Sequence, residues 1–317
     1  MTVEFFLYHA AFAGIAVLLT QSLNLVWRVN RFSLGHHGYF GIGAYAGVVF
    51  TRFSVPDGKW ALDTWIDRLS GAGLLLGCIG SAAVVTGFVG YVTIRLFVRL
   101  REDHFAVATL VFAEIVQNVA ANCTYVGGAL GFEAPYLAVR NAGAERLWYV
   151  GFYASLGVAL NLLLYLGIRR LDQSTYGLYI TASRDDELAA ELCGVDVWTL
   201  QRTVFLLATA VAGAAGALFL HFTSLIVPGD FSLINGLPII LYVVLGNLGP
   251  ARCVAAALGL YTAYEIMKLQ FFGLLGLELG RAAAEWKEVL LASVLIAAGL
   301  LPALLQKLRC PRREASS

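Results

Sequence analysis

Val204-Phe205-Leu206-Leu207-Ala208-Thr209-Ala210-Val211-Ala212-Gly213-Ala214-Ala215-Gly216-Ala217-Leu218-Phe219-Leu220-His221-Phe222 contains no Asp, Glu, Lys or Arg. A bilayer core of about 30 Å needs about 20 helical residues to cross it, and this run meets that length. A buried strand rarely exceeds about eight residues, so the run reads as a membrane-spanning helix. Glu4–Trp27, Gly71–Ile94, Phe105–Asn122, Tyr149–Ile168 and Val289–Leu305 repeat the pattern. No alternation in segments of about ten residues, the mark of a transmembrane β-barrel, accompanies them.

Composition agrees. The 317 residues are 59% hydrophobic and 14% charged, with a mean hydropathy of +0.74. Soluble domains are nearer 45–50% apolar and about 25% charged, so too few charges are present here to coat a soluble surface. A net charge of +1 gives no electrostatic case for nucleic acid. Cys78, Cys123, Cys193, Cys253 and Cys310 have neither C-x-x-C nor His spacing, which supports neither a zinc site nor a disulfide framework. The N-terminus lacks a basic n-region and an A-x-A site, so Glu4–Trp27 is expected to be a retained helix.

Nine helices are expected, at roughly 4–27, 36–52, 71–97, 104–122, 149–168, 203–223, 237–250, 252–272 and 286–306. The seventh begins near Pro238, and the second is rich in glycine and polar residues. Either can be broken or re-entrant, so eight to ten crossings are expected. The fold class is an all-α polytopic transmembrane bundle with a broken, glycine-rich second helix, in one domain over residues 1–317. If the loop at 169–202 is cytoplasmic, its side of the membrane holds Arg28, Arg31, Arg95, Arg99, Arg101, Arg169, Arg170, Arg184, Arg202, Arg252 and the tail at 307–317 with Lys307, Arg309, Arg312 and Arg313. That is fourteen of the 22 Lys and Arg. The excess marks that side as cytoplasmic, with the C-terminus inside and, for nine crossings, the N-terminus outside.

The loop carries Ser183-Arg184-Asp185-Asp186-Glu187-Leu188-Ala189-Ala190-Glu191-Leu192-Cys193-Gly194. It reads as one short amphipathic helix. Ser183 is the expected N-cap, with three carboxylates in the first turn and Gly194 as the left-handed stop. Leu188 and Leu192, four apart, share a face. Such a helix can dock in a groove on a soluble partner, or it can simply connect and cover the bundle.

In the second segment Ser33, Gly35, His36, Gly38, Gly41, Gly43 and Gly47 fall within fifteen residues. Glycine lowers helix propensity and lets helices approach closely. Unwound backbone at membrane depth is tolerated where it is buried in protein or lines a watery cavity. A broken helix beside a solute path and plain tight packing both fit, and His36 fits either a structural bond or the path. Intramembrane charge is costly and faces a bundle interior. Glu114, with Gln117 and Asn118 on its face, therefore belongs either to a polar network between helices or to a pathway lining. Glu265 and Lys268, three apart, can pair with each other. Asn24 and Asn161 are expected to hydrogen-bond between helices. No G-x-x-x-x-G-K-[ST], H-E-x-x-H or G-x-S-x-G occurs, so the chain has no Walker A loop and no visible hydrolase centre.

Tyr176-Gly177 followed by Arg184-Asp185-Asp186-Glu187-x-Ala189-Ala190-x-x-x-Gly194 resembles the coupling loop of the permease subunits of Liv-type ABC importers, which carry branched-chain amino acids. Ser22-Leu23-Asn24-Leu25 and Ser33-Leu34-Gly35-His36-x-x-x-Phe40-Gly41-Ile42-Gly43-Ala44-Tyr45 resemble that family's glycine-rich second segment. Phe105-Ala106-x-Ala108-Thr109-Leu110-x-Phe112-Ala113-Glu114-Ile115, Gly127-Gly128-x-x-Gly131, Ala212-Gly213-x-x-Gly216-Ala217-Leu218 and Val243-Val244-Leu245-Gly246-x-Leu248-Gly249 follow in the family's order. Arg101-Glu102-Asp103-His104, Leu237-Pro238 and Asn247 depart from it.

The resemblance implies a permease subunit in a bacterial inner membrane that binds no cofactor of its own. Its partners would be ABC ATPase subunits, a second permease subunit, an extracytoplasmic substrate-binding protein and membrane lipid. The cargo would be a branched-chain amino acid or a related small polar solute such as urea or an amide. Arg184, Asp185, Asp186, Glu187, Ala189, Ala190 and Gly194 would meet the ATPase. Asn24, Ser33, Gly35, His36, Gly41, Gly43 and Glu114 are the candidates for the translocation path. The rival class is a secondary transporter driven by an ion gradient.

Overall fold

Apolar helices in lipid gain little from hiding from one another, so close packing and small residues decide which of them associate. The helix Val197–Thr223 has the most small residues on its buried face, among them Ala208, Thr209, Ala212, Gly213, Ala215, Gly216 and Ala217. The computed structural model, which describes residues 2–54, 65–97, 100–134, 144–247, 249–268 and Ser293, puts that helix at the centre. In chain order the helices are α1 (Thr2–Arg28), α2 (His36–Ser54), α3 (Trp65–Phe97), α4 (Glu102–Asn122), α5 (Ala144–Asp172), α6 (Thr175–Asp185), α7 (Glu187–Leu192), α8 (Val197–Thr223), α9 (Leu233–Gly246) and α10 (Pro250–Lys268). The central α8 packs on α1, α2 and α3, while α1 also meets α5, α9 and α10.

Six helices among the described residues are long and apolar enough to cross a membrane, spanning Val3–Arg28, Ala72–Phe97, Asp103–Asn122, Leu147–Asp172, Val197–Thr223 and Pro228–Gly246. The fold is therefore the expected all-α polytopic bundle. Its short α2 is enclosed by α3, α4 and α8 and buries most of its residues. The expected helix at 286–306, the tail at 307–317, Cys310 and the side chains of Glu265 and Lys268 lie outside the described residues.

The break expected in the second helix lies at its entrance. Residues 29–35 are unwound, and α2 then runs without interruption. Asn30 ends α1 in the left-handed region at φ 56, a conformation Asn tolerates better than most residues. A Cβ on Gly43 would overlap the backbone of Gly213 on α8, so this glycine gives close helix approach and not a kink.

The seventh expected helix also shifts. It was placed at 237–250, with Pro238 near its start. The helix α9 instead begins at Leu233, keeps Pro238 inside, and stops at Asn247, whose φ of 43 turns the chain. Neighbouring helices can re-satisfy the carbonyl that an interior proline leaves unpaired in a membrane helix.

One end of the bundle gathers the basic residues at the ends of α1, α3 and α5 and at the starts of α4, α8 and α10. There the Arg28 Nη1 lies 2.5 Å from Oδ1 of Asp172, the last residue of α5, and Arg31 Nη1 donates to the Leu100 carbonyl at 3.0 Å. At the opposite end the strands β1 (Phe132–Glu133) and β2 (Leu225–Ile226) pair antiparallel, Phe132 with Ile226 and Glu133 with Leu225. Arg52, at the end of α2, lies over the rings of Tyr125 and Phe132 at 5.2 and 4.8 Å.

Candidate functional site

The stretch expected to be one helix from Ser183 is two. Ser183 is buried inside α6, and its hydroxyl donates to the Ile180 carbonyl at 3.1 Å, so it caps nothing. The chain breaks at Asp186, whose extended backbone ends α6 and whose Oδ1 accepts from the Ala189 amide at 3.0 Å. Asp186 is thus the N-cap of α7, and Glu187 is the acid of its first turn. A three-residue shift in the cap is what a sequence with carboxylates at consecutive positions allows, because each of them can serve. Gly194 takes φ +87 after α7, as expected.

The six-residue α7 has two sides. Outward stand Leu188 and Leu192, 67% and 81% exposed. Inward, Ala190 is buried. Glu187 turns back to the bundle, where its Oε1 accepts from Gln201 Nε2 at 2.8 Å and its Oε2 lies 3.5 Å from Arg31 Nη2. Arg184 and Asp185 are exposed neighbours 3.5 Å apart, and Ala189 is exposed. The residues expected to meet a partner therefore divide. Leu188, Leu192, Ala189, Arg184 and Asp185 are available outside, while Glu187 ties α7 to the turn between α1 and α2. Sequence reading counts Arg31 among the cytoplasmic-side charges but not as the partner of Glu187, because their separation along the chain leaves no signal of the pairing. Just downstream, the Asp196 carboxyl is held below the usual carboxylate range because it accepts from the Thr199 hydroxyl and amide, which caps α8.

Arg31 leads into the polar centre of the α1–α2 turn. Ser22 Oγ donates to the Ala208 carbonyl at 2.8 Å and lies 2.5 Å from His36 Nε2. A hydroxyl has one proton to give. The His36 contact therefore has Nε2–H donating and Ser22 accepting, which leaves Nδ1 as a buried lone pair. His36 Nδ1, His37 Nε2, Ser33 Oγ and both polar atoms of Asn24 have no hydrogen-bond partner among the described residues, and all four residues are buried. Such groups cost free energy wherever nothing meets them.

Gly35 sits against the Thr109 carbonyl, which leaves no room for a Cβ. Gly41 faces the Phe231 ring, and Gly43 faces Gly213. The structure thus sets His36 beside Ser22 of α1 and Gly35 beside Thr109 of α4, buries Asn24 and Ser33, and assigns Gly41 and Gly43 to helix packing. Glu114 stands apart on α4. Asn161 bridges helices as expected, donating to the Gly14 carbonyl at 2.8 Å and accepting from Gln21 Nε2 at 3.1 Å.

A separate cavity of about 380 Å³ opens between α1, α3, α5 and α8. Leu25, Ala83, Leu164, Ile168, Val204 and Leu207 line it. Its walls offer a polar solute almost nothing to bond, so it is not a solute path.

The family model described as branched-chain amino acid transport system / permease component matches residues 5–299. The high-affinity branched-chain amino acid transport system permease protein LivM of Salmonella typhimurium is 26% identical over 286 residues, 82% of this chain and 63% of that protein. Its namesake in Escherichia coli K12 gives the same figures, 26%, 82% and 63%. The probable branched-chain amino acid transport permease protein LivM of Methanocaldococcus jannaschii is 26% identical over 237 residues, 72% of this chain and 65% of that one. The chain thus spans less than two thirds of the length of these relatives. No solved structure matches it.

Proposed function

This chain belongs to the branched-chain amino acid transport permease family, and from that premise we propose that it forms one half of the translocation path of an ATP-driven importer. The observation that carries the reading is the two-sided α7. Its leucine ridge is turned out of the bundle, and its inner carboxylate is bonded to Arg31 at the mouth of the α1–α2 turn. A partner that seats Leu188 and Leu192 in a groove and moves them would pull on that turn directly.

In this reading ABC ATPase subunits bind the α6–α7 surface and hydrolyse the ATP. This chain does no chemistry. A second permease subunit, identical or homologous, completes the path, and a substrate-binding protein docks on the opposite face near β1 and β2. In this reading the arginine-rich end of the bundle is the cytoplasmic one, and the basic tail at 307–317 lies on the same side of a bacterial inner membrane. The cargo is a branched-chain amino acid, the solute named for the relatives. The buried polar atoms of Asn24, Ser33 and His36 supply partners for such a solute as the turn opens and closes.

The test is to co-purify the tagged chain with the products of its neighbouring genes and assay ATP hydrolysis with loaded binding protein. Turnover stimulated by leucine, isoleucine or valine is the expected result. Stimulation by urea or an amide instead keeps the importer and changes its cargo. Absence of any associated ATPase contradicts the reading and favours transport driven by an ion gradient, with Glu114 as the coupling carboxylate.

A further inference from the structure

Three strips run along α4. Phe105, Thr109 and Ala113 are buried, with Thr109 and Ala113 set against Gly35 and Gly38 at the start of α2. Val111, Ile115 and Val119 are 52%, 54% and 63% exposed, an apolar strip suited to lipid. Between these two lies a third strip, Glu114, Gln117 and Asn118, the first two half-buried and the last exposed.

Within the described spans Glu114 is the one carboxylate far from an end, since Glu4, Asp103, Asp172 and Asp230 all sit at span termini. Eight residues separate it from Asn122, about 12 Å at about 1.5 Å per residue. Among the described residues its carboxylate has no hydrogen-bond or ion-pair partner. Asn118 Nδ2 donates to the Glu114 backbone carbonyl at 2.8 Å, which leaves the side chain of Glu114 itself unengaged.

Lipid cannot cover such a strip. A carboxylate and two carboxamides facing acyl chains at this depth would each cost several kcal/mol or force the acid to be neutral. Water or a polar solute can cover it. We propose that the Glu114–Gln117–Asn118 strip lines the solute path where this chain faces its partner permease, and that the Glu114 carboxylate receives the ammonium group of the amino acid in transit. The inference rests on the permease reading above. It adds the group that recognises the substrate's amine and the face of the chain that looks into the path. The Gln117 and Asn118 amides are placed to bond the other end of the zwitterion. A fixed negative charge of this kind passes an amino acid and disfavours its des-amino acid analogue.

The experiment uses the complete transporter in proteoliposomes. The wild type is compared with Glu114→Gln and Glu114→Asp for uptake of labelled leucine and for ATP turnover. Losing one charge-assisted hydrogen bond predicts a fall of about 10-fold or more in leucine uptake for Glu114→Gln. ATP hydrolysis should persist, and Glu114→Asp should restore much of the uptake. In parallel, Asn118→Cys and Ile115→Cys are placed in a chain with Cys123, Cys193 and Cys310 replaced by serine, and are treated with a charged, membrane-impermeant thiol reagent. The expected result is rapid modification of Asn118→Cys, slowed by leucine, with Ile115→Cys inert.

Glu114→Gln uptake equal to wild type overturns the inference. So does an Asn118→Cys as unreactive as Ile115→Cys, which would mark a dry contact between subunits. A wild-type complex that hydrolyses ATP but carries no amino acid overturns the permease reading, and the inference falls with it.

Discussion

Glu187 shows how a single side chain can change meaning between sequence and fold. In the sequence it is one of three consecutive acids on a loop, and a family resemblance hands all three to a soluble partner. In the fold it faces inward to Gln201 and Arg31, and Arg31 is only 9% exposed. Replacing Glu187 by Gln keeps an acceptor but removes the charge that faces that guanidinium, at a cost of about 1 kcal/mol for a partly exposed pair. We expect Glu187→Gln to assemble with its partners while ATP hydrolysis loses its dependence on loaded binding protein. The exchanged pair Arg31→Glu with Glu187→Arg should recover part of that dependence, and full stimulation in Glu187→Gln alone would show that this contact does not couple α7 to the α1–α2 turn. Gly43 is the second case. Its Cβ would meet the Gly213 backbone, so Gly43→Ala must push α2 from α8. A loss of about 1–3 kcal/mol is expected, read as a lower unfolding temperature in detergent, and an unchanged temperature would contradict this packing.

Among the elements, α7 was legible in its outline and not in its edge. The i, i+4 leucines and the glycine stop follow from spacing and backbone conformation, which are local properties. The N-cap does not, because Ser183, Asp185 and Asp186 can all cap, and the choice falls to the position that leaves Ser183 buried within α6. The glycines of α2 were ambiguous for the same reason. A glycine marks a break or a close contact alike, and only the presence of Gly213 and Phe231 opposite Gly43 and Gly41 decides it. Two outcomes follow at this scale. Leu188→Ser with Leu192→Ser should abolish co-purification of the ATPase while leaving the chain inserted and folded, and retained co-purification would send the docking surface elsewhere. Asp186→Ala should weaken α7 by about 1 kcal/mol and raise hydrogen exchange at residues 187–192 without affecting α8.

At the scale of the molecule, the run of apolar segments gave the class, and the arginine distribution gave one end of the bundle. Helix pairing was not legible. That α8 sits at the centre, that α4 packs on α2, and that Arg28 reaches Asp172 all depend on which small-residue faces meet, which no single segment encodes. The buried, unbonded polar atoms of Asn24, Ser33 and His36 were partly visible as polar residues in apolar sequence, but the meeting of His36 with Ser22 depends on the turn at 29–35. These features describe a bundle whose polar turn is bonded to a helix that stands outside it.

The most direct measurement of that design is accumulation of labelled leucine in proteoliposomes containing the purified chain, its ATPase and permease partners and the binding protein. Each preparation is energised by ATP or by an imposed proton or sodium gradient alone. Accumulation is expected with ATP and with neither gradient alone. Gradient-driven accumulation in the absence of the ATPase subunits would contradict it.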